Sequence, residues 1–166
     1  KNVILYPEIT ISSSINGYTD ETKILFHPDC TDEFDGFYDL IKFNNTEEAP
    51  QLFTIISEEY YAVNFMNNDF IDKIIPLGFS TSQEGYYSIS VSNSNFVDPV
   101  HIYLEDIKTG IVSDIKEIED YSFYYSPIDN PHRFNIHIYN SYYNIDNTSV
   151  ENIWISSEDN RIYIKT

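Results

Sequence analysis

Alternation of apolar and polar positions governs this chain almost from its start. In PEITISSSI (residues 7–15) Ile9, Ile11 and Ser13 share one face, the two-residue period of a half-buried strand. Asn16-Gly17 follows as a turn, a dipeptide suited to tight reversals. In ETKILFH (21–27) Ile24 and Phe26 oppose Lys23, Leu25 and His27, and Pro28-Asp29 ends the run. Three short strands are then predicted close together, YDLIKF, QLFTII and YYAVNF, separated by the Asn-, Glu- and Pro-rich stretch 44–50 and by Ser57-Glu58-Glu59. IDKIIPLGFS carries Pro76, which suits an edge or a bulge because proline cannot donate to a ladder. GYYSISVSN alternates cleanly, with Tyr87, Ile89 and Val91 on one face. HIYLED, YSFYYS and RFNIHI complete the series, with a turn at Lys108-Thr109-Gly110. Helical spacing is found only in DIKEIEDY (114–121), which is too short for more than a single turn.

Short strands at regular spacing with turn residues between them point to an all-β fold, an antiparallel β-sandwich of jelly-roll or Ig-like type. Composition reinforces this. Of 166 residues 15 are Tyr and 11 are Phe, types that fit a pleated, half-buried surface. After Tyr139 the chain turns polar (NSYYNIDNTSVEN) before IWISSEDNRIYIKT, two alternating segments around Glu158-Asp159-Asn160. The expected organisation is therefore a β-sandwich over 1–140, a linker over 141–151 and a short C-terminal hairpin over 152–166. The chain begins at Lys1 rather than Met, so it is expected to be a piece of a longer polypeptide.

Charge removes several functions. The formal net charge is -18, which repels phosphate backbones and anionic lipid surfaces; no nucleic-acid partner and no membrane insertion are expected. Cys30 is the single cysteine, so no intrachain disulfide forms and no thiolate zinc site can be built. The histidines His27, His101, His132 and His137 make no closely spaced ligand pair, and no nucleophile elbow or phosphate-binding glycine loop occurs. No catalytic residue is assigned, and the chain is expected not to be an enzyme. Arg133, one of nine basic residues, is expected to pair with Glu105 or Asp106 near a strand end.

Two groups of side chains remain as binding candidates. Asp29, Asp32, Asp35 and Asp39 recur through an acidic loop without the ligand pattern of an EF-hand; they either gather a calcium ion, the one candidate cofactor, or cap backbone amides in a solvated turn. The adjacent pairs Tyr60-Tyr61, Tyr86-Tyr87, Tyr124-Tyr125 and Tyr142-Tyr143 must each turn one ring outward if they lie on strands. Tyr61, Tyr86, Tyr124, Tyr125 and Trp154 are the candidates to stack on a sugar ring or anchor a protein. The competing role is cross-strand cover of the sheet.

IYLEDIKTG, YSFYYS and RFNIHI in succession, with FDGFYDLIKFNN, PQLFTI, YYAVNF, IPLGF and GYYSI upstream, resemble the β-sandwich region that precedes type IX secretion sorting domains in Bacteroidetes proteins. The resemblance spans about residues 8–140, and the terminal IWISSEDNRIYIKT resembles the first hairpin of such a sorting domain. It implies a non-catalytic module of a large secreted or cell-surface protein, working in presentation or adhesion beside other domains of the same polypeptide. It carries over no catalytic residue. A carbohydrate-binding module, using exposed Tyr and a structural calcium to hold a surface glycan, is the alternative.

Overall fold

The structure is a computed structural model that describes residues 5–70, 72–96 and 100–140, together with the strand backbones of 154–158 and 161–165. The described residues contain no helix. Eleven strands join in one sheet: β1 (Glu8–Ile15), β2 (Tyr18–Phe26), β3 (Leu40–Ile41), β4 (Gln51–Ile56), β5 (Glu59–Met66), β6 (Lys73–Ser80), β7 (Gly85–Ser94), β8 (Val100–Asp106), β9 (Ile111–Asp114), β10 (Tyr121–Tyr125) and β11 (His132–Asn140). Their order is β10-β7-β1-β2-β5-β4-β6-β11-β8-β9, with β3 paired to β5 beside this path. The expected C-terminal hairpin is present as β12 (Trp154–Glu158) and β13 (Arg161–Lys165), paired antiparallel in a sheet of their own. The linker expected over 141–151 lies outside the described residues.

The chain is thus all-β as expected, but its two faces of core are halves of one curled sheet. β2 and β5 run parallel, from Lys23 opposite Val63 to Phe26 opposite Met66, and that pair joins one half to the other. The curl brings strands far apart in the ladder into contact. Phe79 on β6 lies 5.0 Å from the rings of Phe123 and Tyr125 on β10 and 5.0 Å from Tyr87 on β7. Ile9, Ile11, Ile24, Leu77, Ile89, Leu104 and Ile136 are fully or almost fully buried in the same core. Removing a side chain of this size from water stabilises the fold by about 1.5–3 kcal/mol.

Local chemistry explains several turns. Asn16 and Gly17 both take positive φ, 50° and 85°, with Ile15 opposite Tyr18. This is the two-residue hairpin turn whose twist matches the flanking strands. The β4–β5 turn has the same form at Ser57 (φ 49°) and Glu58 (φ 71°), although neither residue is a glycine or asparagine. Gly110, with φ 71°, reverses the chain between β8 and β9.

Three elements differ from the sequence expectation. YDLIKF yields only the two-residue β3, whose side chains face solvent. β9 was not anticipated: it is four residues long, and Ile111 and Val112 are both exposed, so no alternation marks it. Pro76 sits in β6, an interior strand between β4 and β11 rather than an edge. It is accommodated because the β4 ladder stops at Leu77, opposite Thr54, one residue short of the proline.

Candidate functional site

The acidic loop between β2 and β3 sets the geometry of the most exposed apolar surface. The Asp35 carboxylate accepts from the Thr31 amide at 2.6 Å, and the Asp39 carboxylate accepts from the amides of Asp35 and Phe65, each at 2.7 Å. Burial pushes the Asp39 carboxyl up, partly offset by those two amides. Asp32 pairs with Lys73 at 2.7 Å, and Asp29 lies near the His27 ring. The four carboxylates predicted as a calcium set are therefore divided among separate partners. Among the described residues no group of three or more His, Cys, Asp or Glu side chains is placed to hold a metal ion. Cys30 is buried beside this loop, and burial together with the Asp35, Asp39 and Asp29 charges pushes its thiol up.

The loop so pinned presents its apolar side chains outward. Phe34, Phe37, Leu40, Ile41 and Phe43 are all exposed, Phe37 fully (102%) and Phe43 almost so (86%). The segment is not loose. The Lys42 ammonium pairs with the buried Asp20 carboxylate, which also accepts from the Leu52 amide and the Asn45 side chain, and the Lys42 amide donates to the Tyr60 carbonyl at 2.8 Å. Five exposed large apolar side chains within ten residues are unusual where single exposed residues are the norm. Glu33, Asp35, Glu47 and Glu48 flank them in sequence. The sequence reads residues 29–37 as an acidic loop and YDLIKF as a short strand, and no chemical motif marks these side chains as exposed.

The predicted aromatic candidates separate by face. Tyr61 and Tyr125 are buried, which corrects their assignment as ligand contacts: on an alternating strand their neighbours Tyr60 and Tyr124 take the outward positions. Tyr86 (79% exposed) and Tyr124 do face solvent. They are cross-strand partners, and their rings meet at 74° with centroids 5.3 Å apart, an edge-to-face pair rather than a flat stacking platform. The side chain of Trp154 and the pair Tyr142-Tyr143 lie outside the described residues.

The expected ion pair of Arg133 forms with Asp106 and is buried. His132 pairs with Gly78 and Phe134 with Leu77, so Arg133 is the extra residue of a β-bulge. A bulge breaks the in–out alternation, and Arg133 and Phe134 consequently both point inward. The guanidinium donates to both Asp106 oxygens, Nε at 3.2 Å and Nη2 at 2.9 Å, and to the Tyr124 carbonyl at 2.7 Å. It lies 4.6 Å over the Phe123 ring. Asp106 also accepts from the Tyr121 hydroxyl at 3.0 Å and the Lys108 amide at 3.0 Å. Burial alone would push the Asp106 carboxyl up; the hydrogen bonds and charge of Arg133, with Tyr121 and Lys108, outweigh it and leave it below the usual carboxylate range. This cluster ties β8, β10 and β11 together.

The histidines serve similar ends. His137 and Asn135 both meet Glu105, each at 2.8 Å, and His132 meets Asn135 at 3.0 Å. Hydrogen bonds from Asn135 and then His137 hold the Glu105 carboxyl below its ordinary value. His101 stacks beside Tyr103, and His27 lies between Tyr6 and Tyr38.

A cavity of about 370 Å³ opens where β4, β5 and β6 splay apart. β4 holds β5 only from Thr54 to Ile56 and holds β6 only from Gln51 to Thr54. The cavity is lined by Ile56, Met66, Ile75 and Pro76 and by the polar Asn64, and Asp32, Glu33, Asp69, Asp72 and Lys73 also border it.

Comparison with known proteins adds one match: the family described as a domain of unknown function, DUF8693, matches residues 11–138. No curated protein and no solved structure matches the chain significantly.

Proposed function

The chain belongs to the DUF8693 family, and from that premise we propose that it is a non-catalytic β module that works by adhesive contact with another protein at the surface of a cell. The observation that carries this reading is the set of exposed apolar side chains Phe34, Phe37, Leu40, Ile41 and Phe43 on one short segment, which Asp20, Asp39 and Lys42 tie to the sheet. Aromatic side chains supply contact area at interfaces, and acidic flanks favour a partner whose apolar patch has a basic rim. The engagement of His132, His137 and Arg133 in hydrogen bonds within the sheet supports binding over catalysis. The resemblance to regions beside type IX sorting domains supports placement in a secreted or cell-surface protein.

The test uses beads coated with the 166-residue chain and layered on bacterial or epithelial cells. Wild-type beads should be retained, less so at high salt, and the Phe37→Ser/Phe43→Ser variant should be retained at least about tenfold less, as expected when two anchor side chains are lost. Equal retention of the two would overturn the reading. A glycan-array signal that Tyr86→Ala/Tyr124→Ala abolishes would favour the carbohydrate-binding alternative.

A further inference from the structure

We propose that the open edge of β3 takes up a short extended segment of a basic partner protein, which adds to the sheet as a further strand. This rests on the adhesive reading above and names the form of the partner at the same segment. The first observation is an edge that nothing covers. β3 pairs with β5 alone. The Lys42 amide donates to the Tyr60 carbonyl, and Ile41 lies opposite Tyr61. Successive residues of an antiparallel pair alternate between bonding the partner strand and facing away from it, so the amide and carbonyl of Ile41 face away from β5. Among the described residues no other strand pairs with that edge. Unpaired backbone groups of this kind are a template for another strand.

The second is exposure on both faces. Adjacent residues of a strand point to opposite sides, and a strand that covers a core buries one of each such pair. Leu40 (58%) and Ile41 (54%) are both exposed, as is Phe43. β3 thus stands clear of the core on either side. An added strand would gain affinity from main-chain hydrogen bonds and set its alternate side chains against Leu40 and Ile41. β3 is two residues long, and its register on β5 shifts between Leu40 and Ile41. Shortness and irregularity hinder the joining of two folded sheets, so the occupant is a short extended segment.

The third is charge. Lys42 is the single Lys, Arg or His between residues 28 and 72, and its ammonium is buried against Asp20. Glu33, Glu47 and Glu48 are exposed on either side of β3 in the chain, and Glu58 and Glu59 are exposed where β5 begins. A second copy of this chain would set that acidic surface against itself, which like-charge repulsion disfavours. A segment with Lys or Arg at alternate positions meets carboxylates instead.

Binding is measured by titrating the full chain with the peptide acetyl-Lys-Val-Lys-Val-Lys-Val-Lys amide, followed by amide chemical shifts and hydrogen exchange. The peptide should bind, more weakly at high salt, and should slow exchange at the Ile41 amide. The same peptide N-methylated throughout, or with Glu in place of Lys, should bind at least about tenfold more weakly. Ile41→Pro removes an N–H that the sheet does not use, and Ile41→Lys sets a like charge on the edge. Each should lower affinity about tenfold and leave the unfolding temperature unchanged; the lysine variant decides the matter if proline disturbs β3. No binding, equal affinity for the N-methylated peptide, unslowed exchange at Ile41, or unchanged affinity in Ile41→Lys would each overturn the proposal. So would sedimentation showing the edge occupied by a second copy of the chain. Retention of coated beads on cells separates this inference from the adhesive reading. Loss in Phe37→Ser/Phe43→Ser with full retention in Ile41→Pro and Ile41→Lys overturns strand addition alone. Equal retention of wild type and every variant overturns the adhesive reading itself.

Discussion

Replacing Arg133 by Met isolates the buried ion pair that closes the curled sheet. Asp106 is 0% exposed and Arg133 3% exposed, so the variant leaves a carboxylate in the interior with only the Tyr121 hydroxyl and the Lys108 amide as donors. Losing one partner of a buried pair costs about 3–5 kcal/mol, because the surviving charge is uncompensated. Met keeps part of the packing on Phe123, 4.6 Å from the guanidinium carbon, which places the expected loss near 3–4 kcal/mol. A chain of this size loses about 2–4 °C per kcal/mol, so the midpoint should fall by roughly 6–16 °C. Urea melts followed by far-UV circular dichroism give the free energy directly. The double variant Arg133→Met/Asp106→Leu removes both charges and should recover most of the loss. The pH dependence has a definite sign. The folded Asp106 carboxyl is held below its unfolded value, so its stabilisation is present above about pH 4, the unfolded carboxylate range, and is lost as pH falls through the lower folded value. The single variant should therefore show a weaker acid dependence than the wild type. A cost under about 1 kcal/mol, against the range expected for a broken buried pair, or a double variant as damaged as the single one, would refute the reasoning.

Gly78→Ala should destabilise by about 2–3 kcal/mol in the same melts, an overpacking cost, because a Cβ there would lie 2.0 Å from the Phe53 ring that covers the glycine; a neutral result would show that the ring yields freely. Glu58→Gly should raise stability by up to about 1 kcal/mol, since Glu58 holds φ 71° in the β4–β5 turn and glycine takes that conformation without a Cβ clash. Cys30, buried with its thiol pushed up by burial and three aspartates, should react with a thiol reagent at neutral pH only at the rate of unfolding, as measured by absorbance with and without urea.

The sequence carried the strands because alternation is a local property. The alternation of GYYSISVSN puts Tyr87, Ile89 and Val91 on one face, and Tyr87 and Ile89 are buried with Val91 packed on the same core. The turn at Asn16-Gly17 was equally legible, since both residues favour positive φ. Pairing across the sheet was not. The parallel β2–β5 pair depends on how remote strands meet, and no local pattern records that. Arg133 was legible as an ion-pair partner, but its burial follows from a bulge that shifts one residue of register, which composition does not announce. The carboxylates of 29–39 could be read either as ligands or as amide caps, and only their separate partners decide how each is used. The apolar strip was hidden for the opposite reason. YDLIKF reads as a short strand, yet Asp39 and Lys42 bind the segment through its polar residues and turn Leu40, Ile41 and Phe43 to solvent.

The most direct test of the adhesive reading is hydroxyl-radical footprinting of the domain, free and while retained on a cell layer. Oxidation of Phe37 and Phe43 should fall sharply on retention, with Tyr86 and Tyr124 unchanged. Equal oxidation of Phe37 and Phe43 in the two states, with protection at Tyr86 and Tyr124 instead, would contradict the account.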